Sequence, residues 1–279
     1  GPTLKNSQAR PGGLNCFIGI TSSELFCSRS SVLLRLEALA TWDEESTVTI
    51  DGYTTNTTTP INIAQSFGNF VWNISAFSAG SSSTTFNLNL DGSFTEFQGD
   101  FIISSTGSGT RSLSLDQSGN GFDLNVGGDF LISSGILNVV NSAGASTSAI
   151  TVDRTFTMSG GNIILSSGNA GSSATLTIGG SFSRTTTAGL ILRTNGTANV
   201  FFNGPANTTF SMNGTSAVFS GTVNISILSG GDLNMIGESY LNGAGNFVLE
   251  SGATLNLKST SAAGAIQNST TAGNVRVSG

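Results

Sequence analysis

Histidine is absent from all 279 residues, and that gap removes a large class of chemistry. Neither a Ser-His-Asp nor a Cys-His nucleophile system can be assembled, and His-ligated metal sites are excluded. Charge is scarce too: Asp, Glu, Lys and Arg make up 9% of the chain, against roughly a quarter of an average soluble domain. The ten basic residues are scattered singly in a chain of net charge −6, so no stripe exists to neutralise nucleic-acid phosphates. No apolar run approaches the roughly 20 residues that a membrane-spanning helix needs. Nucleic acid and a membrane span are therefore not expected among the partners.

Cysteine is almost missing. Cys16 and Cys27 stand near the start and the rest of the chain has none. In a secreted protein they could pair across a short loop; otherwise they are two buried thiols. No histidine or further cysteine is available to complete a zinc site with them. Neither a P-loop nor the strand–helix setting of a dinucleotide site is present, and the Gly-x-Gly stretches read as turns. No catalytic, cofactor-binding or metal-ligating residues are expected. The residues singled out are structural: Cys16, Cys27, Phe94, Phe130, Phe156 and Phe182.

What the chain does have is 37 glycines, 18 phenylalanines and a polar complement made mostly of Ser, Thr and Asn. Disordered chains are poor in large apolar residues, so this one can build a core. Threonine is β-branched and suits a pleated strand, whereas Lys and Glu do not. From Thr47 onward polar and apolar residues alternate with period two. Examples are Phe86-Asn87-Leu88-Asn89-Leu90, Phe122-Asp123-Leu124-Asn125-Val126 and Val223-Asn224-Ile225-Ser226-Ile227. Turn signals such as Asp91-Gly92, Gly127-Gly128 and Gly179-Gly180 separate them.

A larger unit recurs. Residues 88–97, 124–133, 150–159 and 176–185 align on Phe94, Phe130, Phe156 and Phe182, and Phe101 and Phe210 supply further anchors. The commonest step, about 26–29 residues, fits one coil of a parallel β-helix with three short strands and their turns. Stacked coils would place the anchors in an internal ladder, each coil burying its apolar face only against its neighbours. The expected fold is all-β: a right-handed parallel β-helix of roughly eight coils over residues 46–279. A β-sandwich array is the rival; it would join its strands by hairpins. Residues 1–45 differ. Val32, Leu33, Leu36, Leu39 and Trp42 lie near helical spacing, which predicts a helix over 30–45 inside an N-terminal capping segment that covers the first coil.

The phrases GSF (92–94), GGDFLISSG (127–135) and TLTIGGSF (175–182), with the closing run 266–279, resemble the β-strand-repeat regions of large secreted surface proteins of the Bacteroidetes. Those proteins are exported by the type IX system and often end in a sorting domain. The resemblance covers about residues 47–279. It implies an extracellular, surface-associated role in adhesion or matrix and supplies no catalytic residues. No sorting domain is recognisable. The strand-like run ending at Gly279 suits a piece of a longer chain or an end that stacks on another copy.

Three constellations could carry function. Asp91, Asp100, Asp129 and Asp153 lie in turns beside the Phe anchors, with Arg154 near the last. They could form a carboxylate or calcium cluster on stacked coils, or simply bond their own turns. Thr-x-Thr recurs at 47–49, 155–157, 175–177 and 185–187 without a constant period; on one flat face it would suit ice binding. Tyr53, Trp72 and Tyr240 could stack on sugars or pack inside. The leading expectation is a non-catalytic extracellular structural or adhesive module. Its partners would be further copies end to end, adjacent repeats or surface glycans. The alternative is a carbohydrate-binding or polysaccharide-degrading β-helix.

Overall fold

The computed structural model describes residues 17–21, 24–28, 42–51, 66–75, 85–88, 90, 94–107, 110–213, 218–260, 266–268 and 275–277. Across these residues the protein is an all-β solenoid of about seven turns, slightly fewer than the repeat length led us to expect. At ~4.8 Å per coil that is a rod of roughly 34 Å.

From Phe101 to Ile227 each coil visits three sheets in rotation; the next passes through Leu241–Gly243, which pairs with Ile266–Asn268 in a 2-stranded sheet. Phe130–Ile132 belongs to an 11-stranded sheet, Ile136–Val140 to a 6-stranded sheet and Thr147–Val152 to an 8-stranded sheet; Phe156–Met158 then returns to the first sheet one coil further on. Equivalent positions pair between these coils: Phe130 with Phe156, Leu137 with Ile163 and Ile150 with Leu176, all in parallel. Parallel pairing throughout the coils rules out the hairpin-linked sandwich.

Period-two alternation sets which residues enter the core. Along Ser173–Ile178 the residues Ala174, Leu176 and Ile178 are buried while Ser173, Thr175 and Thr177 are half-buried on the outer face. The 11-stranded sheet carries the Phe ladder, which runs Phe70, Phe101, Phe130, Phe156, Phe182, Phe210. Ring centroids from Phe101 to Phe210 lie 4.8–5.3 Å apart, and three of these four contacts are stacked. Burying each ring stabilises the fold by about 1.5–3 kcal/mol relative to leaving it exposed.

Phe94 is not in this ladder. It sits in Phe94–Phe97 of the 8-stranded sheet, paired with Asp123, and the rung assigned to it belongs to Phe101. The GSF triplet imitates the anchor, but the chain has not yet reached the corner.

Corners between the 11- and 6-stranded sheets are turned by glycine. Gly107, Gly135, Gly161 and Gly189 all have positive φ, a conformation that costs any side chain with a Cβ. At Gly135 (φ 90°) a Cβ would also collide with the side chain and backbone nitrogen of Thr106 on the coil before. Thr106 Oγ1 pins that corner, accepting the Ile136 N–H at 3.0 Å and donating to the Arg111 carbonyl at 2.7 Å.

At the N-terminal side, Phe17–Thr21 pairs antiparallel with Glu24–Ser28, which pairs in parallel with Thr47–Asp51. This hairpin extends the 11-stranded sheet and was not legible as helical or repeat texture. Most of the helix expected over residues 30–45 lies outside the described residues. Residues 42–45 lead through a turn closed by the Ser46 N–H on the Asp43 carbonyl at 2.9 Å. Cys16 lies outside the described residues. Cys27 falls in the hairpin, in register with Ile18.

Candidate functional surface

Two of the four aspartates considered for a cluster, Asp100 and Asp129, bond neighbouring coils instead of converging or bonding their own turns. At the entry to the 11-stranded sheet, four residues, Asn69, Asp100, Asp129 and Ser181, each accept the backbone N–H of the equivalent position on the next coil. Asn69 Oδ1 accepts the Asp100 N–H at 2.7 Å, Asp100 Oδ1 the Asp129 N–H at 2.7 Å, and Asp129 Oδ1 the Thr155 N–H at 2.9 Å. Ser181 Oγ repeats the bond to the Thr209 N–H at 3.0 Å. These residues bond across coils rather than within their own turn. Asp153 and Arg154 are exposed in the turn that leads into Thr155, and Asp91 lies outside the described residues.

The same pattern extends around the rod. Asn169 Nδ2 donates to the Ala143 carbonyl at 2.8 Å, Asn195 Nδ2 to the Gly168 carbonyl at 2.8 Å and Asn213 Nδ2 to the Thr185 carbonyl at 2.8 Å. Asn224 Nδ2 donates to Asn199 Oδ1, and Asn224 Oδ1 accepts the Asn246 N–H, both at 3.1 Å. Each bond spans about one coil. The polar coat is therefore a set of vertical ladders, and its donors and acceptors face neighbouring rungs instead of converging on one point. Among the described residues, no group of three or more Cys, Asp or Glu side chains could hold a metal ion.

The other constellations disperse. Thr47 and Thr49 share the 11-stranded sheet with Thr155 and Thr157, but the strands Asn69–Ile74, Phe101–Thr106 and Phe130–Ile132 lie between them. Thr175 and Thr177 belong to the 8-stranded sheet, and Thr185–Thr187 form a corner. No single face gathers the threonines. Trp72 and Tyr240 are buried in the core, and Tyr53 lies outside the described residues.

Two buried polar residues were not legible from the sequence. Asp116 is fully buried and accepts the Gly119 N–H at 2.9 Å, the Ser118 hydroxyl at 3.3 Å and the Ser148 hydroxyl at 3.4 Å. Its strand, Ser112–Asp116, is buried along its whole length, so alternation gave no warning. Arg184 is only 1% exposed and occupies the inward row between Met158 and Met212. Its guanidinium donates to the Gly189 carbonyl at 3.4 Å. Desolvation pulls its pKa below the ordinary arginine value, and Tyr240 partly opposes this.

No helix among the described residues is long and apolar enough to cross a membrane. No family model, curated protein or solved structure matches the chain.

Proposed function

We propose that the protein is a non-catalytic structural or adhesive module of the extracellular space, serving as a rigid segment of a surface stalk or fibre. The observation that carries this reading is the direction of its polar side chains. Asn69, Asp100, Asp129 and Ser181 in one ladder, and Asn199 and Asn224 in another, bond coil to coil. That use stiffens a rod, whereas a reaction site needs such groups brought together on a substrate. Low charge and a coat of hydroxyls and amides suit a secreted chain, as does the texture resemblance to repeat regions of surface proteins.

Electron microscopy of the purified protein over a wide concentration range tests the reading. Straight rods that join end to end as concentration rises are the expected result. Isolated short particles at every concentration would count against a fibre subunit, and flexible beads would count against a rigid stalk segment.

A further inference from the structure

We propose that Lys258 and Asn234 form an intramolecular isopeptide bond that locks two adjacent coils together. The chain has only two lysines, Lys5 and Lys258. Lys258 lies on Thr254–Ser259, which pairs in parallel with Asp232–Gly237 and sets Lys258 beside Ile236. Its side chain crosses diagonally to the neighbouring strand, where Nζ donates a hydrogen bond to Asn234 Oδ1 at 3.1 Å.

The acceptor amide is held still. Asn234 is 6% exposed, and its Nδ2 donates to the Thr208 carbonyl at 3.1 Å and to Asp232 Oδ1 at 3.2 Å. Asp232 Oδ1 is itself fixed by Asn256 Nδ2 at 3.1 Å. The arrangement sets an amine against a clamped carboxamide, with a carboxylate on the nitrogen that would depart. Holding them in contact replaces a bimolecular encounter with an intramolecular one.

The unprotonated Lys258 Nζ attacks Asn234 Cγ. The Nζ–Cγ bond forms, the Cγ–Nδ2 bond breaks, and one proton passes from Nζ to the leaving nitrogen, which departs as ammonia. The proton leaves Nζ to solvent, and Asp232, hydrogen-bonded to Nδ2, is the carboxyl placed to return one to the departing nitrogen. No oxidant, reductant or water is consumed. Aminolysis of an amide uses the free amine, so alkaline solution favours the reaction.

The test is peptide mapping after incubation of the whole chain at mildly alkaline pH. Cleavage after Glu238 and Glu250 places Asn234 and Lys258 in separate peptides, so only a covalent link keeps them together. The expected product is that joined pair, lighter than its two parts by one ammonia. It should be absent from Lys258→Arg, which keeps the charge. In Asp232→Asn it should form about a hundredfold more slowly or worse. Mass alone does not suffice, because succinimide formation at Asn-Gly pairs also expels ammonia; the joined peptide is the readout. A folded parent chain that yields no joined peptide after prolonged incubation overturns the proposal. Formation at the parental rate in Asp232→Asn removes the carboxylate from it.

Discussion

The coils between Phe122 and Met212 and those between Phe219 and Thr260 follow the same plan, yet differ in what fills the inward row. In the first region the row of the 11-stranded sheet is Phe130, Phe156, Phe182 and Phe210, each ring within 5.3 Å of the next. In the second the row continues as Met235 and then Leu257, and the steps shorten to 25 and then 22 residues. Met235 is still buried, but Leu257 is 56% exposed although its register position is an interior one. A solenoid coil buries its apolar face only where a neighbour covers it, so the same strand pattern contributes very different stability at different heights of the rod. Position in the stack matters as much as residue type.

The comparison can be broken most directly in the Phe ladder. Phe156→Ala removes a fully buried ring that stacks on Phe130 and meets Phe182 edge-on, and unfolding in denaturant should show a loss of about 3–5 kcal/mol. A loss below 1 kcal/mol would mean that the ladder does not hold the middle coils. Corner geometry comes next. Gly135→Val forces a branched side chain into positive φ and against Thr106, with an expected cost of about 1–3 kcal/mol or more in the same assay. Tolerance of valine there would show that the corner can open. The polar ladder is weaker. Asp129→Ala deprives the Thr155 N–H of its acceptor at an exposed turn, where water can partly substitute, so about 1 kcal/mol is expected. Leu257→Ser sharpens the comparison from the other side. It should change stability by no more than about 0.5 kcal/mol, because the side chain already meets solvent. A large loss would place a covering element over that end.

Much of this architecture was readable from residues alone, and the failures are instructive. Phe130, Phe156 and Phe182 repeat at a 26-residue step, so their ladder was visible because those coils carry no insertions. Toward the N-terminal side the steps lengthen to 29 and 31 residues, from Phe130 back to Phe101 and from Phe101 back to Phe70, and there Phe94 imitates an anchor from the 8-stranded sheet. A local GSF triplet cannot report which sheet it belongs to; only inter-coil register can. The aspartates were found as turn residues, but their bonds reach 26 to 29 residues away, and nothing local distinguishes that from an Asx turn. Arg184 and Asp116 were missed for a simpler reason: period-two reasoning puts polar side chains outside, and these two point in. The Lys258–Asn234 pair was equally invisible, since it joins residues on adjacent strands offset by two positions.

Native-state hydrogen exchange, resolved by strand, bears most directly on the claim that coil-to-coil bonding makes this chain a single stiff rod. The strands from Phe122–Val126 through Thr208–Met212 should exchange last and together, as one cooperative unit, with Thr254–Ser259 exchanging well before them. Independent exchange of individual coils in the middle region, or greatest protection at Thr254–Ser259, would contradict it.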